Sequence, residues 1–372
     1  MTITNKNKVT LQYGWNEAWE EKAALVRGEM AGKELVQARV CAQYAASAYR
    51  LISDLGDCTG EVSGKFRFLA VSRSAYPAVG DWVMVEWLAG EPARAVIHSI
   101  LPRKSAMTRR AAGSVPEEQV IGANLNYLFI TSALNQDFNL RKIERYMVAA
   151  WESGAAPVIL LTKSDLCEDA RALAALVEEA APGVPVHVVS ALHDEGREQL
   201  SPYLAAGNTI AVTGSSGVGK STLLNWLAGD ELQHTGGIRE DDARGRHTTT
   251  HRELFLLPGG ALMLDTPGMR ELQLWEADEG WQQAFVDIEG LAADCRFRDC
   301  KHEAEADCAV QAAISTGELD HSRFTNYKKT ERELARLARK EQRAGQRRRE
   351  SAAPAAASRK RERRIESSSW EE

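Results

Sequence analysis

Residues 214–222, GSSGVGKST, constrain the fold more than any other stretch of this chain. The segment matches G-x-x-x-x-G-K-[ST] and lies between an apolar strand, TIAVT, and a helical segment, STLLNWLA, which is the context that a phosphate-binding loop needs. Backbone N–H groups of such a loop surround phosphates, Lys220 reaches the β and γ oxygens, and Ser221 offers its hydroxyl to Mg²⁺. The predicted nucleotide contacts of the loop are Gly214, Ser215, Ser216, Gly217, Val218, Gly219, Lys220, Ser221 and Thr222.

The sequence around this loop predicts an α/β fold with a mostly parallel sheet. From about residue 118 onward, apolar strands such as YLFITSAL, PVILL, VPVHVV and ALMLD alternate with helical segments. Alternation of this kind is typical of parallel sheets, whose ligands bind at the carboxyl ends of the strands. The functional residues should therefore follow the strands.

Three further short motifs follow predicted strands. DTPGM places Asp265 at the end of a strand, where it can hold Mg²⁺ through water, and Gly268 where its N–H can meet a γ-phosphate. TKSDL resembles the guanine motif N/T-K-x-D, in which the Asp carboxylate accepts hydrogen bonds from groups that adenine lacks. SAL at 190–192 resembles a second guanine motif. The predicted guanine contacts are Thr162, Lys163, Ser164, Asp165, Ser190 and Ala191.

The order of these motifs along the chain is unusual. Both guanine motifs precede the phosphate loop, whereas D-x-x-G follows it. In Ras-like proteins the guanine motifs come last. The sequence therefore predicts a circularly permuted GTPase domain, in which strands keep their places in the sheet while the chain enters at a different strand.

The residue that orients the attacking water is not the usual glutamine, because Met269 follows D-x-x-G. The segment GIREDDARGRHTTTHREL offers His247 for this role, with His251 as a competitor, and a solvated loop histidine is an equally good interpretation. Thr249, or a neighbouring threonine at 248 or 250, is the predicted Mg²⁺ ligand besides Ser221.

A metal site is predicted further along the chain. DCRFRDCKHEAEADC spaces four ligands as C-x4-C-x-H-x5-C, namely Cys295, Cys300, His302 and Cys308. Three thiolates and one imidazole fill a tetrahedral Zn²⁺ site without an open position, which indicates a structural zinc. Cys41, Cys58 and Cys167 fit a role in packing.

The pattern of apolar residues and the distribution of charge predict the domain boundaries in the rest of the chain. Short alternating segments, among them VGDWVMVEW and CTGEVSGKFRFLAV, predict about five strands of a small OB-type barrel. A basic connection, LPRKSAMTRRAAGS, follows them. Residues 328–364 hold fifteen Lys or Arg against five Glu, which suits either RNA contact or a solvated tail. The expected divisions are a lead-in at 1–35, the barrel at 36–110, the GTPase domain at 111–274, a helical zinc domain at 275–345 and a basic disordered tail at 346–372.

The composition of the chain predicts where the protein is found in the cell. The 372 residues include 44% hydrophobic and 26% charged ones and carry a net charge of −6, as in an ordinary globular protein. No apolar run approaches the ~18 residues of a membrane span, and MTITNKNKVT lacks a signal-peptide core. We therefore expect a cytoplasmic protein that does not bind membranes.

The combined motifs resemble the ribosome small-subunit-dependent GTPase A family over roughly residues 36–340. VGDWVMVEW, NQDFNLRKIERYMVAAWESG, GSSGVGKSTLLNWLAG, GRHTTTHREL, DTPGMREL and the cysteine cluster carry this resemblance. It implies a GTPase with an OB barrel and a zinc domain that binds the small ribosomal subunit and its rRNA late in assembly and is stimulated by the subunit. The expected partners are GTP, GDP and that subunit, and the chain itself is expected to be a monomer.

One departure and two alternatives accompany this interpretation. Thr162 stands where the family more often has Asn, and loss of that amide predicts a looser tie to the phosphate loop, with lower affinity or base selectivity. A nucleotide-regulated RNA-binding module with incidental hydrolysis would share the same motifs. A P-loop small-molecule kinase would not need DTPG together with TKSD.

Overall fold

The computed structural model describes most of the chain between residues 8 and 339. The described residues are 8–44, 47–110, 118–135, 138–229, 252–265, 281, 283–303, 305–336 and 338–339. Within these ranges, no helix combines the length and the apolar character that crossing a membrane requires.

A five-stranded barrel forms the N-terminal part, which confirms the prediction. Its strands are β1 Leu35–Gln43, β2 Ala48–Ser53, β3 Gly56–Val62, β4 Trp82–Leu88 and β5 Arg94–Ile100. They pair in the order β1-β2-β3-β5-β4, and β4 pairs back with β1 to close the barrel. Alternate side chains point inward and fill the interior with small and branched residues, including Val40, Leu51 and Ile97.

One part of the strand prediction was wrong. KFRFLAV does not extend β3, because helix α3 occupies Gly64–Leu69. The Ser63 hydroxyl oxygen accepts the N–H of Phe66 at 3.1 Å and so caps this helix.

Two helices precede the barrel, α1 Val9–Gln12 and α2 Glu17–Glu29. The Asn16 side chain caps α2 by accepting the N–H of Trp19. The Trp15 and Trp19 rings lie 4.7 Å and 6.4 Å from the Trp82 ring of β4, measured between centroids. Burial of these large rings fixes the helices on the barrel.

The nucleotide sheet consists of β8 Tyr127–Ala133, β9 Ala156–Thr162, β10 Val186–Val188, β11 Thr209–Gly214, β12 Arg252–Leu256 and β13 Leu262–Asp265. The strands lie in the order β10-β9-β8-β11-β13-β12, and all but β12 are parallel. Helices α4 Leu140–Ser153, α5 Ala170–Ala180 and α6 Lys220–Ala228 connect or follow these strands. The expected parallel sheet is present, but the antiparallel strand β12 was not predicted.

Two connections join the barrel to this sheet. The first two residues of β12 pair with the end of β1, in the registers Ala42↔Glu253 and Gln43↔Arg252. The strands β6 Ala106–Arg110 and β7 Glu118–Ala123 form a hairpin. Its Gly122 lies against the Leu264 side chain of β13, where a β-carbon would come within 2.3 Å, and the N–H of Ala123 donates to the Val79 carbonyl. The prediction of a turn-forming connection for this basic stretch is therefore wrong at residues 106–110, which form β6.

The C-terminal region is helical, with helices at Val286–Ala293, Ala309–Thr316 and 321–336. A buried arginine, Arg323, attaches it to the nucleotide domain. Its guanidinium lies 2.8 Å from the Glu144 carboxylate of α4 and 2.6 Å from that of Asp287, and it donates to the Ala180 carbonyl at the end of α5.

Candidate nucleotide and metal sites

The phosphate loop leaves β11 at Gly214 and enters α6 at Lys220. Gly214 has φ 149°, and a β-carbon there would lie 2.3 Å from the Thr131 hydroxyl oxygen, so only glycine fits. The Lys220 ammonium donates to the carbonyls of Gly214 at 2.8 Å and Ser215 at 2.6 Å. These contacts hold the Lys220 side chain at the phosphate loop. The backbone N–H groups in the first turn of α6 point to the same place.

The first guanine motif is tied directly to this loop. The Thr162 hydroxyl at the end of β9 donates to the Val218 carbonyl at 2.6 Å, and both residues are buried. The hydroxyl provides a donor to the phosphate loop where the asparagine amide is missing, while lower affinity or base selectivity stays a prediction. The threonine couples the base-binding segment to the phosphate-binding segment.

The two guanine motifs also contact each other. The Ser190 hydroxyl donates to the Asp165 carboxylate at 2.6 Å, and the Ser164 N–H donates to the Val189 carbonyl. The Ser190 contact fixes the orientation of the Asp165 carboxylate. Lys163 has a left-handed backbone, φ 58°, and its side chain passes beside the loop, with Cε 4.0 Å from where a β-carbon of Gly219 would lie.

Of the other predicted phosphate and magnesium residues, Asp265 lies within the described part of the chain. Asp265 is the last residue of β13, which runs parallel to β11 as its neighbour. The backbone thus brings Asp265 to the same edge of the sheet as the phosphate loop. Gly268, His247 and Thr249 lie outside the described residues.

One contact of the loop was missed by sequence reasoning. Tyr146 of α4 is hydrogen-bonded to Ser215, and burial raises the pKa of its hydroxyl, with the hydrogen bond acting in the opposite direction. Its neighbours Ile143 and Met147 face the core, so helical periodicity alone gives no sign that Tyr146 reaches a loop about seventy residues away.

The cysteine cluster brings together four side chains that could hold a metal ion. The ligand atoms of Cys295, Cys300, His302 and Cys308 all lie within 4.8 Å of one another. A zinc tetrahedron with the usual bond lengths has edges of about 3.8 Å between two sulfurs and about 3.5 Å between sulfur and nitrogen. The Cys295 and Cys308 sulfurs are 3.8 Å apart, and each lies 3.5 Å from His302 Nδ1. The donor set therefore fits a metal ion of this kind.

Neighbouring polar groups support this donor set. The Gln311 N–H donates to the Cys308 sulfur, which caps the helix Ala309–Thr316. The Gln311 side chain donates to the His302 carbonyl at 2.6 Å. Contacts of this type fix the orientation of metal ligands. The cluster lies between the helices at Val286–Ala293 and Ala309–Thr316. A bound ion would therefore stabilise the packing of these two helices.

Comparison with known proteins gives consistent matches. Residues 100–275 match the model of the RsgA GTPase family, and residues 198–358 match that of the ABC transporter family, a match that includes the phosphate loop. The chain is 44% identical over 330 residues to the Small ribosomal subunit biogenesis GTPase RsgA of Opitutus terrae, covering 87% of this chain and 90% of that protein. It is 42% identical to RsgA 2 of Lactiplantibacillus plantarum, covering 87% and 89%.

Two solved structures have the same fold. YjeQ from Thermotoga maritima matches with a TM-score of 0.61 and 26% identity, over 81% of this chain and 99% of that chain. YloQ, described as a circularly permuted GTPase, matches with a TM-score of 0.59 and 24% identity, over 81% and 96%. The fold of this chain is therefore that of a circularly permuted GTPase.

Proposed function

Because the chain belongs to the RsgA GTPase family and is a hydrolase acting on GTP, we propose that it binds the small ribosomal subunit and its rRNA as a late assembly factor. The subunit stimulates hydrolysis of GTP to GDP and phosphate, and hydrolysis releases the protein. The names of the relatives, small ribosomal subunit biogenesis GTPases, support this partner.

The observation that carries the guanine-nucleotide part of the proposal is the direct contact between the guanine motif TKSDL and the phosphate loop. Thr162 bonds to Val218 of the phosphate loop, and Ser190 bonds to Asp165. A site assembled in this way recognises the guanine base and the phosphates as one unit. A small-molecule kinase has no need for the Asp165 carboxylate at this position.

Each residue has a role in the proposed reaction. Asp165 accepts hydrogen bonds from the guanine N1–H and exocyclic amine, and the Ala191 N–H donates to O6. Lys220 stabilises negative charge on the β- and γ-phosphates. Gly268 donates its N–H to the γ-phosphate, and His247 orients the attacking water. These two residues lie in segments that the structure does not describe.

Two metal ions complete the proposal. The Ser221 hydroxyl and Thr249 would hold Mg²⁺, with Asp265 contributing through water, and the ion would supply positive charge next to the β- and γ-phosphates. Zn²⁺ is the proposed ion of the cysteine cluster, since three thiolates and one imidazole are its usual donor set. The zinc is structural because four protein ligands leave no open position.

We further propose that the protein is a cytoplasmic monomer without membrane contact and that its units are the five ranges derived from sequence. These are a lead-in at 1–35, the barrel at 36–110, the GTPase domain at 111–274, the zinc domain at 275–345 and a basic tail at 346–372.

GTP hydrolysis by the purified protein tests the function. The rate is measured alone, with small ribosomal subunits and with large ones, for the wild type, Lys220→Ala and His247→Ala. We expect stimulation by small subunits only, no activity of Lys220→Ala, and loss of stimulated turnover in His247→Ala with GTP binding retained. Equal rates with and without small subunits would refute the partner, and a fully active His247→Ala would refute the role of that histidine.

A further inference from the structure

An exposed apolar surface follows strand β3 of the barrel. Phe68 and Leu69 at the end of α3 are 89% and 63% exposed, and Val71 is 98% exposed. Exposed apolar residues are common singly, but several within four positions of one short segment form a patch that calls for a partner. We call residues 64–73 the α3 surface.

The α3 surface is held on the barrel from both sides. Ser63 caps α3, and its N–H donates to the Ile97 carbonyl of β5. Beyond the segment, Arg103 donates to the carbonyls of Ser74 and Tyr76 at 3.0 Å and 2.9 Å. The Tyr76 ring contacts the Phe66 ring edge to face, 6.1 Å between centroids. The exposed side chains are therefore presented by a supported backbone.

The charge of this surface is positive. Lys65, Arg67 and Arg73 lie within it and are exposed, and no acidic residue occurs between Glu61 and Asp81. Asp81 is buried and its carboxylate is paired with Arg103 at 2.7 Å, so it does not offset the cations. An aromatic ring flanked by cations along the chain suits a partner with phosphates and exposed bases.

We propose that the α3 surface binds an unpaired RNA strand, with the Phe68 ring stacked on a base and Lys65 and Arg67 at the flanking phosphates. This inference rests on the proposed function, since it assigns part of the rRNA contact to named residues. An apolar protein partner explains Phe68 and Val71 but gives no use to the excess of cations.

Binding of a fluorescent oligouridine of about 12 nucleotides, a length within the span of such folds, tests the stacking contact. We expect Phe68→Ala to weaken binding at least about fivefold at fixed salt, whereas Phe68→Trp retains it. Leu25→Ala on α2 is the matched control, because Leu25 is also exposed, at 71%. Absence of measurable binding by the wild type, or equal binding by Phe68→Ala, would overturn the proposal.

The salt dependence of the same binding tests the phosphate contacts. Each cation that neutralises a phosphate of a single strand contributes about 0.7 to the slope of log affinity against log salt. Lys65→Gln with Arg67→Gln should therefore lower the slope by about 1.4, while Phe68→Ala leaves it unchanged. Arg171→Gln, an exposed arginine of α5, should lower it less than either cation of the α3 surface. An unchanged slope in the double variant would contradict the assignment.

Binding to small ribosomal subunits separates this inference from the proposed function. If subunits fail to stimulate the wild type, the proposed function fails, and oligouridine binding still decides the α3 surface. If subunits stimulate the wild type but Phe68→Ala binds oligouridine normally, the inference alone fails. Loss of subunit binding by Phe68→Ala with normal oligouridine binding would assign the surface to a ribosomal protein and overturn the RNA contact.

Discussion

Replacement of Thr162 by valine should weaken guanine-nucleotide binding, because valine has nearly the same shape but no hydroxyl. The Thr162 hydroxyl has a single proton and donates it to the Val218 carbonyl at 2.6 Å, a shorter contact than the 3.4 Å to the Ser132 carbonyl. Val218 is only 4% exposed, so water cannot readily replace the lost donor.

The size of the effect follows from this burial. A buried carbonyl left without a partner costs about 1–3 kcal/mol. The cost falls partly on the stability of the protein without nucleotide and partly on binding, since guanine and phosphates must be held at one fixed separation. Each kcal/mol that falls on binding raises the Kd about fivefold. With a total cost of about 2 kcal/mol shared equally between the two, we expect a Kd for GDP about fivefold higher, together with a lower melting temperature.

Titration with a fluorescent GDP analogue and thermal unfolding of the same samples measure both parts. Thr162→Ser is the matched control, because it keeps the hydroxyl and should bind GDP nearly as the wild type does. If Thr162→Val matches the wild type in Kd and in melting temperature, the hydrogen bond to Val218 contributes to neither binding nor stability. The proposed coupling of TKSDL to the phosphate loop is then refuted.

Three further predictions concern the loop, the metal and the domain contact. Gly214→Ala should abolish GDP binding in calorimetry, because its β-carbon would lie 2.3 Å from a threonine hydroxyl oxygen of β8; normal binding would contradict that geometry. Cys300→Ser should remove the bound zinc measured by atomic absorption and lower the melting temperature, whereas Cys167→Ser should leave one zinc per chain. Arg323→Met should lower the free energy of unfolding in urea by about 3–5 kcal/mol, because Glu144 is then buried without its cation. Burial already raises the pKa of Glu144, so this deficit should shrink as the pH falls and the carboxyl becomes neutral; a deficit independent of pH would contradict this cause.

The sequence was most informative where a local pattern and a chemical motif coincide. Apolar runs such as PVILL and TIAVT end in polar motifs, and both become strands of the parallel sheet. The order of these motifs is enough to predict the permutation. The barrel was also predictable, because alternation of inward and outward residues is a local property of each strand.

The errors arose where local signals compete or where the decisive contact is distant. KFRFLAV has the composition of a strand, yet Ser63 and Gly64 begin a helix there. RELFL is short and partly polar, and its partners are β13 and β1, the latter more than two hundred residues away. The bonds of Thr162 to Val218 and of Tyr146 to Ser215 likewise join different elements. The hydrophobic periodicity of one segment does not predict contacts with another element of the chain.

The pairing of β12 with β1 also bears on whether the nucleotide domain can exist alone. β12 is the outermost strand of its sheet, and the barrel covers the start of its free edge through Ala42 and Gln43. A chain beginning at β6 would expose backbone donors and acceptors along this whole edge, a surface on which other copies can add strands. The barrel therefore protects its neighbour from self-association, and its removal should yield an aggregating protein even if every nucleotide contact is intact.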